Sequence, residues 1–221
     1  MHLTRMNFNG DPNLGLYGFA TDRFCLVGCD LTNKIKSLDV PIFTTTMLST
    51  EFVGIFSAGN SSGVVVPDII ETHELNHLKT VLSKIGVSVL VLESRFTALG
   101  NLILMNDNGI ILSELLKENK KEIEEFFGLD CTVSTLAGLD IVGSLGIATN
   151  NGCLLAPQSR KKEIKTVEKY LGVEADIGTV NFGSPFPKSG LIVNKNGYVV
   201  SPLSSGPELQ RIEEVFGFIK R

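Results

Sequence analysis

His73-Glu74-Leu75-Asn76-His77 matches H-E-x-x-H, a spacing that on a helix puts two zinc ligands on one face with a glutamate base beside them. The rest of the chain argues against that chemistry. The remaining histidine is His2, so a third ligand would have to be a distant carboxylate. Glu74-Leu75 also recurs, as Glu122-Ile123, Glu163-Ile164 and Glu208-Leu209. The glutamate therefore reads as a first-turn acid favoured by the helix dipole. His77 falls in register with Glu125, Thr166 and Arg211, a polar, solvated position, and no metal is expected.

Other reactive types dissolve in the same way. Cys25 and Cys29 have the wrong spacing for a CxxC pair, and a nucleophilic cysteine needs a base, whereas no histidine follows His77. The four cysteines read as small buried hydrophobes. Gly59-Asn60-Ser61-Ser62-Gly63 superficially resembles a phosphate loop, but it lacks the Gly-Lys-Ser/Thr ending and leads into a strand. Arg160-Lys161-Lys162-Glu163-Ile164-Lys165 is a solvated helix start. No catalytic residue and no cofactor is predicted.

The elements that hold these residues show a repeat. Gly59-Asn60-Ser61-Ser62-Gly63-Val64-Val65-Val66-Pro67 has counterparts in Met105 to Ser113, Thr149 to Pro157 and Asn194 to Pro202. Gly63, Gly109, Gly152 and Gly197 stand 46, 43 and 45 residues apart. Gly86, Gly128 and Gly172 keep the same beat, each ending an amphipathic stretch. A unit reads strand, Asn/Gly turn, strand, helix, glycine, strand, because Asn and Gly tolerate the positive φ of tight turns. Leu75, Leu78, Val81 and Leu82 give the helical stripe of one unit, and Leu209, Ile212, Val215 and Phe216 that of another.

The 221 residues hold five such units, at 1–50, 51–97, 98–138, 139–183 and 184–221. In the first, a hairpin at Tyr17–Val27, a short helix at Leu31 to Leu38 and a strand at Pro41 to Thr46 are expected. A single unit buries neither its stripe nor its sheet. An open stack needs polar caps, and the last helix carries the same stripe as the others. A closed five-fold α/β propeller in one domain, sheets toward the axis and helices outside, satisfies both.

Composition sets the class. The net charge of −4 argues against a protein that coats a phosphate backbone. The charge-free run from Ile141 to Ser159 is interrupted by Asn150-Asn151-Gly152 and Pro157, so it is not a membrane span. The N-terminal residues lack the apolar stretch of a signal peptide, and a cytosolic protein is expected.

Gly59 to Pro67, Glu93-Ser94-Arg95-Phe96-Thr97-Ala98-Leu99-Gly100-Asn101, Thr149 to Pro157 and Gly178-Thr179-Val180-Asn181-Phe182-Gly183 together resemble translation initiation factor 6, the ribosome anti-association family of archaea and eukaryotes. The likeness runs over the whole chain, which stops after the fifth helix as archaeal members do. It implies the five-bladed pentein fold. It also implies a monomeric factor that binds the large (50S) ribosomal subunit, mainly at ribosomal protein uL14 with the sarcin-ricin loop nearby. Bound there it blocks joining of the small (30S) subunit by steric exclusion, with a role in subunit maturation.

The site residues this implies are Asn60 and Ser61 in the second-hairpin turn and Arg95 and Asn101 in the R-x-x-A-L-G-N segment, with Asn106, Asn150 and Asn194 as repeat equivalents of Asn60. Ser61 stands where many members carry a basic residue. The alternative within the fold is an enzyme acting on guanidino compounds, which would need a late cysteine and histidine that this chain lacks.

Overall fold

A computed structural model describes residues 2–29 and 35–219. Among them, strand β1 (Leu3–Arg5) and a 3-10 turn (Leu14–Leu16) precede β2 (Gly18–Ala20), β3 (Cys25–Val27) and β4 (Ile42–Thr44). The second unit holds α1 (Val53–Phe56), β5 (Ala58–Gly59), β6 (Gly63–Pro67), α2 (Thr72–Ser83) and β7 (Ser88–Leu92). The third holds α3 (Leu99–Leu102), β8 (Ile103–Met105), β9 (Ile110–Leu112), a 3-10 segment (Glu114–Asn119), α4 (Lys120–Phe127) and β10 (Cys131–Val133). The fourth is α5 (Val142–Leu145), β11 (Gly146–Ala148), β12 (Cys153–Leu155), α6 (Lys161–Leu171) and β13 (Ala175–Ile177). The fifth is α7 (Pro187–Gly190), β14 (Leu191–Val193), β15 (Tyr198–Val200) and α8 (Gly206–Val215).

These strands make five three-stranded sheets. In each, an antiparallel hairpin is extended by a third strand parallel to the second, as in β11-β12-β13. The fifth sheet takes its third strand from the other end of the chain: β1 lies parallel to β15, with Leu3 opposite Tyr198 and Arg5 opposite Val200. The first and last units are thereby stitched together. The first strands line the axis, and the outer helices cover the far side, packing Leu78 and Leu82, Val167 and Leu171, or Ile212 and Phe216 into buried clusters. The expected five-fold α/β propeller is the architecture found.

Gly128 (φ 65) and Gly172 (φ 64) end α4 and α6 in the left-handed conformation that glycine adopts without penalty. The first unit differs from expectation. Residues 31–34 of its expected helix lie outside the described residues, and of the rest only Ser37 and Leu38 form a turn. Ile35 and Leu38 still bury their side chains against the first sheet.

Candidate functional site at the two ends of the axis

Each first strand runs from one end of the axis to a tight turn at the other, so the propeller has a turn end and a helix end. At the turn end, Thr21, Asn60, Asn106, Thr149 and Asn194 open the five turns and are all buried. Each donates its backbone N–H across its own turn, as Asn60 does to Gly63 O and Thr149 to Gly152 O. Asn60 Oδ1 accepts from Ser62 N (2.9 Å) and Gly63 N (3.2 Å), and its Nδ2 donates to Asn106 O in the next unit (3.2 Å). Asn106 Nδ2 donates onward to Thr149 O (3.0 Å) and Leu171 O (2.9 Å). Asn194 Nδ2 reaches Thr21 O (3.1 Å) and Leu38 O (2.9 Å), which closes the ring between the last and first units.

The next turn position forms a second ring. Ser61 N and Oγ both donate to the Asp107 carboxylate at 2.8 Å. Asn150 Nδ2 bridges Asp22 Oδ2 (2.7 Å) and Asp107 Oδ2 (2.6 Å). Asn150 is therefore the equivalent of Ser61, and Thr149 that of Asn60, which corrects the register read from the sequence. A polar amide left unmade in this setting would be costly, and here the amides of Asn60, Asn106 and Asn194 are all engaged within the ring.

At the helix end, the Leu14–Leu16 turn and α1, α3, α5 and α7 form a closed ring of single turns, each touching the next. Their second residues are Gly15, Gly54, Gly100, Gly143 and Lys188. The glycines allow backbone contact. A β-carbon on Gly15 would lie 1.7 Å from Lys188 O, on Gly54 2.0 Å from Gly15 O, on Gly100 2.1 Å from Gly54 O and on Gly143 2.2 Å from Gly100 O. Lys188 breaks the series, and its Nζ donates to Gly100 O. Burial pulls its amine down to about 7. The axis holds a cavity of about 330 Å³ at this end, one of about 60 Å³ along the first strands and one of about 20 Å³ behind the asparagines. The axial space is a funnel that narrows from the helices toward the turns.

The loops into the helix ring are clamped by the repeated glutamates. Glu163 accepts from Thr135 Oγ1, Ala137 N, Gly138 N and Arg160 N. Glu208 does the same for Phe182 N and Gly183 N, and Glu74 for Leu48 N and Ser49 N. The loop residues Leu48 (φ 55), Ser49 (φ 57), Ala137 (φ 52) and Phe182 (φ 62) are left-handed, which turns successive amides toward the carboxylate. Burial pushes all three carboxyls up, but these hydrogen bonds prevail and hold them below the usual range. Glu74 is thus a structural clamp, while His77 bonds Thr44 O at the surface. The third unit lacks the clamp: Glu122 is exposed because the 3-10 segment Glu114–Asn119 separates β9 from α4.

The candidate residues are therefore split. Asn60, Ser61, Asn106, Asn150 and Asn194 lie at the turn end, whereas Asn101 lines the 330 Å³ mouth at the helix end. Arg95 is exposed on the unclamped loop of that same end, among Glu93, Glu114 and Glu122. Sequence reading missed Lys188, although the pairs Leu14-Gly15, Val53-Gly54, Leu99-Gly100, Val142-Gly143 and Pro187-Lys188 carry the signal. The four cysteines are buried, and burial pushes the Cys25 and Cys131 thiols up to about 12 and Cys153 higher. Among the described residues no group of His, Cys, Asp and Glu could hold a metal ion. No described helix is long and apolar enough to cross a membrane.

A family model described as the eIF-6 family matches residues 3–215. The chain is 35% identical over 227 residues to the protein called Translation initiation factor 6 in Thermococcus onnurineus, covering 99% of this chain and all of that one. It is 40% identical over 228 residues to the protein of that name in Thermococcus kodakarensis, again covering 99% and 100%. Among solved structures, a dimethylarginine dimethylaminohydrolase carrying an S-methyl-L-thiocitrulline adduct superposes with a TM-score of 0.53 at 12% identity, over 75% of this chain and 68% of that one. That likeness concerns the fold.

Proposed function

The chain belongs to the eIF-6 family, and from that membership we propose that it binds the large ribosomal subunit in the cytoplasm and keeps the small subunit from joining it. The helix end is the docking face. One observation carries this choice: of the exposed large apolar side chains among the described residues, all but Ile219 sit at the ends of second or third strands or on the loops that follow them, on the side of the helix end. They include Phe52, Ile69, Phe96, Leu139, Phe182 and Phe186, with Phe182 83% exposed. Exposed apolar side chains gathered on one side and rimmed by polar groups suit a protein partner. The mild negative charge suits a basic ribosomal protein, uL14, with the sarcin-ricin loop nearby.

A rigid closed ring presents this face preformed, which limits the ordering cost of docking. Asn101 and Arg95 belong to the contact set, and the protein acts as a monomer by occupying space, without catalysis. The guanidino-enzyme reading gains nothing from the shared fold, because a thiol nucleophile works as thiolate and burial holds these thiols protonated. Purified protein is expected to co-sediment with isolated large subunits and to shift an association mixture away from joined ribosomes on a density gradient. Absence of binding at moderate salt would refute the proposal.

A further inference from the structure

The funnel mouth, on the face assigned above to docking and sharing Asn101 with it, also has the makings of a small-molecule site. Its lining is Asn13, Gly15, Leu16, Gly54, Ile55, Asn101, Ser144, Ser184, Phe186, Lys188 and Ser189, so Lys188 is its one titratable group. The channel behind it adds apolar side chains and glycines with no further charge. Asp11, on the loop entering the ring, already accepts from Asn13 and Tyr17. Lys188 Nζ has three N–H donors and makes a single hydrogen bond among the described residues, to Gly100 O. The side chains of Asn101 and Ser144 likewise have no partner within the described residues. Four equivalent ring positions are glycine, whereas the fifth sets a half-buried amine at the mouth, at a desolvation cost that filling space does not explain.

We infer that the mouth cavity binds a small monocarboxylate with a short apolar body. Lys188 Nζ pairs with its charge, Asn101 and Ser144 donate to the remaining lone pairs, and Leu16, Ile55 and Phe186 enclose the tail. The mouth's single cation balances one negative charge; a phosphate dianion would leave the second without a charged partner in a partly desolvated site. About 330 Å³ is at the lower end of small-molecule sites. Binding favours the charged amine, so the occupied state raises the Lys188 pKa from its depressed value.

The full-length protein, with ¹³C-labelled lysine, is titrated with isovalerate while the Lys188 ¹³Cε shift is followed against pH. Saturable binding at about 1 mM is expected, with the Lys188 midpoint rising by about one unit, equivalent to a tenfold preference for the charged form. Isovaleramide, the uncharged analogue, is expected to bind at least tenfold more weakly, and so is inorganic phosphate. Lys188→Met is expected to abolish isovalerate binding and Ser144→Ala to weaken it severalfold. An unmoved midpoint, or amide or phosphate binding as well as the acid, overturns the inference. The wild-type titration decides this even if Lys188→Met fails to fold. No ribosome enters the titration, so its outcome is independent of large-subunit binding.

Discussion

The two ends of the axis are built from the same repeats and do opposite things with their polar groups. At the turn end, asparagine amides bond backbone carbonyls of the neighbouring unit, and Asn150 ties Asp22 to Asp107 across the axis. At the helix end, backbones meet through glycines, the axis stays open, and Asn101, Ser144 and Lys188 keep donors unused. A residue type therefore does not announce its task. Asn106 and Asn101 are five positions apart in sequence, yet one holds the ring shut while the other faces a cavity.

The comparison breaks hardest at the helix ring itself. In Gly100→Ala the new β-carbon would sit 2.1 Å from Gly54 O and 2.7 Å from Ser57 O, both backbone atoms. Neither can yield without opening the ring. We expect a loss of more than about 3 kcal/mol, read by urea denaturation or as failure to yield folded protein. Asn106→Ala comes next. It strands Thr149 O and the amides of Asn108 and Gly109 and leaves Leu171 O to Asn108 Nδ2 alone, and about 2–4 kcal/mol should be lost, since buried groups left unpaired forfeit their full desolvation energy. A thermal midpoint unchanged by Asn106→Ala would mean that the turn end is not the structural end.

Much of this was legible beforehand, for a physical reason. Periodicity, turn chemistry and the forty-odd-residue beat are local properties, and five units that cannot bury their faces alone have few ways to associate. What escaped was the register of the fourth turn and the burial of the asparagines. Thr149-Asn150-Asn151-Gly152 offers two asparagines to a pattern that needs one, and only the ring shows that the threonine takes the first place. The pairing of β1 with β15 was equally hidden, because a strand of three residues, Leu3–Arg5, has no neighbour in its own unit to reveal it.

The glutamate clamps offer a graded test, since they fix the loops that carry the exposed apolar residues. Glu163 has a carboxyl held below the ordinary range in the folded protein. Its stabilisation is therefore fully present above the unfolded pKa and is lost as pH falls through the folded one. We expect the wild-type midpoint to begin dropping below about pH 5. Glu163→Gln, which retains shape but substitutes an N–H₂ donor for one acceptor oxygen facing amides, should cost about 1–3 kcal/mol at pH 7 and flatten the acid limb. An unchanged acid limb would place the pH dependence elsewhere.

The smallest effect on stability belongs to Phe182→Ser, and it sharpens the comparison most. Phe182 is 83% exposed, and its described hydrogen bond is from the backbone N–H to Glu208 Oε2 at 3.1 Å, which serine retains. Its left-handed φ of 62° is tolerated by serine at least as well as by a bulky aromatic. The change in folding free energy should stay within about 0.5 kcal/mol. If the helix end is the docking face, removing this ring takes away an aromatic anchor, a side-chain class whose truncation at an interface centre costs about 2 kcal/mol or more. Co-sedimentation with large subunits should weaken by about thirtyfold at unchanged thermal midpoint. The opposite pairing, intact binding in Phe182→Ser and lost binding in a folded Ser61→Ala protein, would move the docking face to the turn end.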